Sequence, residues 1–260
     1  MGHERIGILP KTRQWRQVVQ NISEFSFDNN NIADITQNTI RNVRSRFDQV
    51  HKDAGIQSAF EFFVLLTAAS KSKDPYNYLS RNGISVPKDF TPLQLSKSLN
   101  NWVSINKESY EYGAFAAQSA VDTISDWYRF KKSNQFSLFD TEENPFETWR
   151  KASNGAGFSD LARYFFTNFT QRYLKYFLER EASAYSSSIE IRESFNSQLE
   201  KHVEEISKHA FETTKITQSF AAGWYNKNVK DEIPSRNKIA GFLSIAFGKL
   251  KGELLREESK

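Results

Sequence analysis

The sequence predicts an all-α fold, a multi-helix bundle of about eight or nine helices around an aromatic-rich core. Three observations lead there. Apolar residues recur at helical spacing over most of the chain, most clearly where Phe195, Leu199, His202, Ile206, His209, Thr213, Ile216 and Phe220 follow one another at intervals of four and three. Eleven Gly and six Pro are few turn-formers for 260 residues, and strict period-two alternation is scarce, which argues against many short strands. The aromatic share is 14%, with 22 Phe, 10 Tyr and 5 Trp against a single Met, so large flat side chains are expected to fill the core.

The first helix is expected from Thr12 to near Phe25, with Trp15, Val18, Val19, Ile22 and Phe25 on one side. A second runs from Ile32 to Val50 and turns Ile32, Ile35, Thr39, Val43 and Phe47 inward. The third, Ile56 to Ser70, is apolar nearly all round and therefore buried. Ser72 to Phe90, with Pro75, Gly83 and Pro87, reads as loop. Thr91-Pro92-Leu93-Gln94 then combines an N-cap, a proline at N1 and a glutamine at N3, opening a fourth helix to Val103. A fifth spans Ser109 to Arg129, with Tyr110, Ala114, Ala117, Val121, Ile124 and Tyr128 in heptad rhythm.

Turn chemistry fills 131–157, around one short helix from Pro145 to Ala152. Phe158 to Ala184 is a strongly aromatic helix, expected at the centre of the C-terminal half. Ser187-Ser188-Ile189-Glu190 offers a capping box for one long helix that carries the four-three seam to Gly223–Asn228. Pro234-Ser235 starts the last helix, with Ile239, Phe242, Leu243, Ala246, Leu250 and Leu254 inward. A soft boundary would divide the chain into an N-terminal helical region (1–130), a loop-rich linker (131–157) and a C-terminal bundle (158–260). One continuous bundle fits the same pattern.

Composition excludes several chemistries. With no cysteine there are no disulfides, thiolate metal sites or cysteine nucleophiles, which fits a cytoplasmic protein. Ile6 to Leu9 is too short an apolar run for a secretory signal, and Ile6 stands where a myristoylation signal wants Ser or Thr. The longest apolar stretch, Phe60 to Ala69, is half of the ~20 residues a membrane span needs, so no membrane partner is expected. A net charge of +4 permits nucleic-acid contact without requiring it. Gly-x-Ser-x-Gly and His-Glu-x-x-His are missing, no catalytic residue is assigned and no cofactor is expected. The acid pairs Glu204-Glu205 and Glu142-Glu143 read as solvated.

Four constellations stand out. His202, Glu205 and His209 fall within an arc of about 60° on one helix, and imidazole with carboxylate suits zinc or iron. Yet ligands seven residues apart lie about 10 Å apart along the axis, so one ion would need a second helix, and His3 and His51 are the other histidines. Histidines that hydrogen-bond across a bundle are the simpler account, with a pH-responsive seam as the other alternative. His202, His209 and Thr213 are the positions where polarity would fix helix pairing and partner choice.

Lys11, Arg13 and Arg16 near the start, and Arg41, Arg44 and Arg46 on the second helix, could neutralise phosphates, while Trp15 belongs to an apolar face. Asn154-Gly-Ala-Gly157 resembles a phosphate-binding turn but lacks the Lys and Ser/Thr of a P-loop, so a helix-entry turn is expected. Gln135-Phe136-Ser137-Leu138-Phe139 resembles the sliding-clamp-binding peptide of bacterial replication and repair proteins, with Phe136 in place of the usual Leu. The resemblance implies that Gln135 anchors by hydrogen bonds while Leu138 and Phe139 fill an apolar pocket. The bland alternative is that these residues pin the loop to its own core.

Two C-terminal stretches, Phe169-Thr-Gln-Arg-Tyr-Leu-Lys-Tyr-Phe-Leu-Glu-Arg-Glu181 and Phe220-Ala-Ala-Gly-Trp-Tyr-Asn-Lys-Asn228, resemble segments of small all-helical subunits of bacterial anti-phage defence systems. The resemblance implies a non-enzymatic cytoplasmic subunit that docks onto a larger protein of the same complex. A nucleic-acid-processing accessory that binds the sliding clamp is the alternative, and a metal-dependent helical-bundle enzyme the third.

Overall fold

Helix-starting side chains set most element boundaries in the computed structural model, which describes residues 9–26, 31–105, 112–132, 144–208, 215–229 and 233–256. Eleven α-helices and one 3-10 turn occur among them, and no strand. They are α1 (Arg13–Ser23), α2 (Ile32–Phe47), the 3-10 turn Val50–Lys52, α3 (Ala54–Ala69), α4 (Pro75–Arg81), α5 (Pro92–Ile105), α6 (Gly113–Lys132), α7 (Phe146–Arg150), α8 (Gly155–Tyr185), α9 (Ile189–Lys208), α10 (Lys215–Asn228) and α11 (Arg236–Arg256).

The caps explain these starts. Thr12 Oγ1 accepts from the Trp15 amide at 2.9 Å, and Asp53 Oδ1 accepts from the amides of Gly55 and Ile56 at 2.8 and 3.1 Å. Thr91 and Gln94 cap one another, each side chain meeting the other's amide at 3.2 and 2.9 Å. At α9 the cap is Ser188, whose hydroxyl accepts from the Ile191 amide at 3.2 Å, one residue beyond the box expected at Ser187.

The described helices number more than eight or nine, and one departure from expectation contributes. Residues 72–90 are not wholly loop: Asp74 accepts from the Asn77 amide at 3.0 Å and Pro75 opens α4. The expected long seam helix is described over α9 and α10, and residues 209–214 between them lie outside the described residues.

Helix α3 sits at the centre. Phe60, Phe62, Phe63, Val64, Leu65 and Leu66 are all buried, on every side of its axis. The Phe60 ring meets Phe158, Phe165 and Phe166 of α8 at 5.8, 5.6 and 5.7 Å and stacks on Phe242 of α11 at 5.2 Å. Each fully buried Phe contributes about 1.5–3 kcal/mol, with edge-to-face contacts adding to it. Phe47 of α2 reaches Tyr173 of α8 and Phe247 of α11, so residues from both sides of 131–157 meet in one core.

Polar contacts then fix which helices face one another. Four tryptophan indoles each donate outside their own helix: Trp15 to Glu181 Oε1 (3.0 Å), Trp102 to the Ser58 carbonyl (2.9 Å), Trp127 to the Thr148 carbonyl (3.0 Å) and Trp149 to the Tyr128 hydroxyl (3.1 Å). Ion pairs join α8 to α6 (Arg172–Asp122), α8 to α9 (Lys175–Glu200), α11 to the end of α2 (Lys251–Asp48) and α11 to α3 (Arg236–Glu61, 3.5 Å).

Candidate functional site

Phe195, Leu199, Val203, Ile206 and Ser207 form the buried face of α9. Val203 therefore occupies the inward position expected for His202, which is half-buried at the margin of that face. Glu205 is exposed. His209 and Thr213 lie outside the described residues. No group of three His, Asp or Glu side chains suited to a metal ion occurs among the described residues. His51 lies in the 3-10 turn, where burial lowers its proton affinity.

The clamp-like residues Gln135, Leu138 and Phe139 also lie outside the described residues. Phe130, ahead of them on α6, is 55% exposed and leans on Trp127 and Tyr164.

The two basic stretches come together. Thr12 Oγ1 donates to Asn42 Oδ1 at 2.7 Å, and the Asn31 side-chain amide donates to the Asn21 carbonyl at 3.3 Å. These two pairs fix α1 and α2 as antiparallel neighbours. Arg16, one turn beyond Thr12, comes level with Asn38, which accepts from Arg41 Nη1 at 3.4 Å. Lys11, Arg13, Arg16 and Arg41 are all exposed. Arg44 stands apart, 3.9 Å from Asp48, and Arg46 is half-buried. Trp15 points the other way, into the core against Phe177.

Asn154 Oδ1 accepts from the Gly157 amide at 2.9 Å, making Asn154-Gly-Ala-Gly157 the cap of α8. Its glycines answer packing needs. A Cβ on Gly157 would stand 2.0 Å from the Lys151 carbonyl oxygen, and one on Gly155 would stand 2.9 Å from the Ala222 Cβ of α10.

Sequence reasoning missed a polar cluster where α6 meets α8. Asn168 Nδ2 donates to Thr123 Oγ1 at 3.3 Å and Asp126 Oδ2 at 2.9 Å, and Arg172 clasps Asp122 one turn away. Burial pushes the Asp126 carboxyl above the usual carboxylate range, with nearby Asp122 and Glu204 pushing the same way. The Asn168 amide and Arg129 oppose that rise. The signal lay in matched spacing: Asp122 with Asp126, and Asn168 with Arg172, each four residues apart and so on one side of its helix.

A second missed feature is an apolar corner. Tyr185 ends α8 and Ile189 begins α9, and they are 52% and 61% exposed. Across the described residues the only other exposed large apolar side chains are Ile105, Phe130 and Ile245. Two large apolar residues flanking a serine cap were the signal for this corner.

No protein-family model, curated protein or solved structure matches the chain.

Proposed function

We propose that this chain is a non-enzymatic helical adaptor subunit of a bacterial multi-protein complex, docking through its α8–α9 corner onto a larger partner. The observation that carries this is the exposure of Tyr185 and Ile189 at the two ends of one inter-helix turn, where the remaining exposed large apolar residues among the described ones, Ile105, Phe130 and Ile245, stand on three separate helices. A Tyr and a β-branched aliphatic supply contact area at small entropic cost. The interior carboxyls favour an architectural role over chemistry. Glu61 is paired with Arg236, and Asp126 is held by Asn168, each across a helix boundary.

An anti-phage setting follows from the resemblance of residues 169–181 and 220–228. Phe169, Tyr173, Leu174, Phe177, Leu178, Ala221 and Tyr225 of those stretches are buried, so the likeness concerns architecture more than any docking surface.

The test is purification of the tagged full chain from a bacterium expressing it with its neighbouring genes. A stoichiometric complex should elute well above the 30.1 kDa of the chain. Tyr185→Ser with Ile189→Ser should dissolve that complex and leave the helical circular dichroism signal unchanged. Elution of the unmodified chain alone, or a complex indifferent to both changes, overturns the proposal.

A further inference from the structure

We propose that the outer face shared by α1 and α2 binds the phosphate backbone of nucleic acid, independently of the α8–α9 corner. Lys11, Arg13, Arg16 and Arg41 bring four positive charges around the Thr12–Asn42 hydrogen bond, as many as the net charge of the whole chain, +4. Residues 10–23 and 35–47 contain neither Asp nor Glu, and the acids of these two helices, Glu24 and Asp34, stand at the end away from the Thr12–Asn42 pair. Glu181 of α8 accepts from the Trp15 indole on the inward side of α1. Asp48, just beyond the end of α2, is engaged by Arg44 and Lys251.

Side-chain chemistry selects the ligand class. Three of the four cations are Arg, whose planar fork suits phosphate oxygens two at a time. Gln17, Asn38 and Asn42 interleave them with neutral amides of the kind that contact phosphate and sugar. A surface that enters a bilayer needs exposed Trp, Phe or Leu beside its cations. Here Trp15 is buried, and the exposed large apolar residues lie on other helices. Backbone contacts of this type carry little sequence information, so affinity should follow charge and salt rather than base sequence.

Fluorescence anisotropy of the full chain with labelled single-stranded and duplex oligonucleotides tests this. Binding should weaken as salt rises, with a log–log slope of roughly −2 to −4, since each neutralised phosphate contributes about −0.7 to −0.9. Arg13→Gln, Arg16→Gln and Arg41→Gln together should lower affinity at least about tenfold and shrink the slope by about two. The charge-matched control Lys73→Gln, Lys88→Gln and Lys97→Gln, all exposed on other elements, should change affinity less than about twofold. The unmodified chain's own slope tests the idea without any variant. A flat salt response, an equal loss in the control, or binding to phosphatidylserine vesicles in preference to both oligonucleotides overturns it.

Discussion

The Trp149 indole donates its N–H to the Tyr128 hydroxyl at 3.1 Å, with both side chains at most 1% exposed. The bond ties the short α7 to α6, and Tyr128 meets the Trp149 ring edge-on at 5.8 Å. Tyr128→Phe keeps that ring and strips the acceptor, leaving a buried indole N–H unsatisfied. The expected cost is about 1–3 kcal/mol in urea denaturation, with far-UV circular dichroism unchanged. A variant as stable as the parent would show that Trp149 has another partner.

The glycines should divide into two classes. Gly157→Ala drives a methyl toward the Lys151 carbonyl and should cost about 3 kcal/mol, because backbone rather than a flexible side chain blocks it. Gly241→Ala, mid-helix in α11 with nothing within 4 Å of the added carbon, should gain about 0.5–1 kcal/mol. Paired thermal melts of the two variants would reveal any failure of that opposition.

Burial raises the Glu61 carboxyl above 4.5, against the pull of Arg236, and it raises Asp126 above 3.8. The folded chain then holds these protons more tightly than the unfolded chain. That contribution to stability is complete below the ordinary carboxylate range and is lost as pH rises through the raised values. Glu61→Gln and Asp126→Asn should each stabilise the chain more at pH 7 than at pH 4. Denaturation curves at the two pH values decide it: a variant-to-parent difference independent of pH would refute the assignment.

Asp53 serves two elements. One carboxylate oxygen caps α3, and the other accepts from the Tyr112 amide at 3.4 Å, at the entry to α6. Asp53→Ala should cost about 1–2 kcal/mol, and Asp53→Ser should restore most of the capping part. Amide hydrogen exchange at Gly55 and Ile56 should speed up in the Ala variant first.

Where local chemistry decides an element, the sequence was legible. Thr91 and Gln94 announce α5 by their reciprocal cap, and α3 announces its burial by having no polar face. Helix α4 carried the same kind of signal in Asp74-Pro75, masked by the turn-formers Gly83 and Pro87. A four-three seam describes a helix packed on one neighbour, whereas α9 packs against α8, α2 and α11. Its buried face is therefore wider than one seam and takes in Val203, leaving His202 half-buried at the margin. The α6–α8 polar cluster and the joining of the two basic stretches depend on which helices become neighbours, and no single helix encodes that.

The last helix closes over rings supplied by much earlier parts of the chain: Phe242 stacks on Phe60, and Phe247 meets Phe47 and Phe166. A ribosome delivers α2, α3 and α8 before α11 exists to cover them. Nascent chains must therefore hold that aromatic surface bare until α11 emerges, an interval in which aggregation competes with folding.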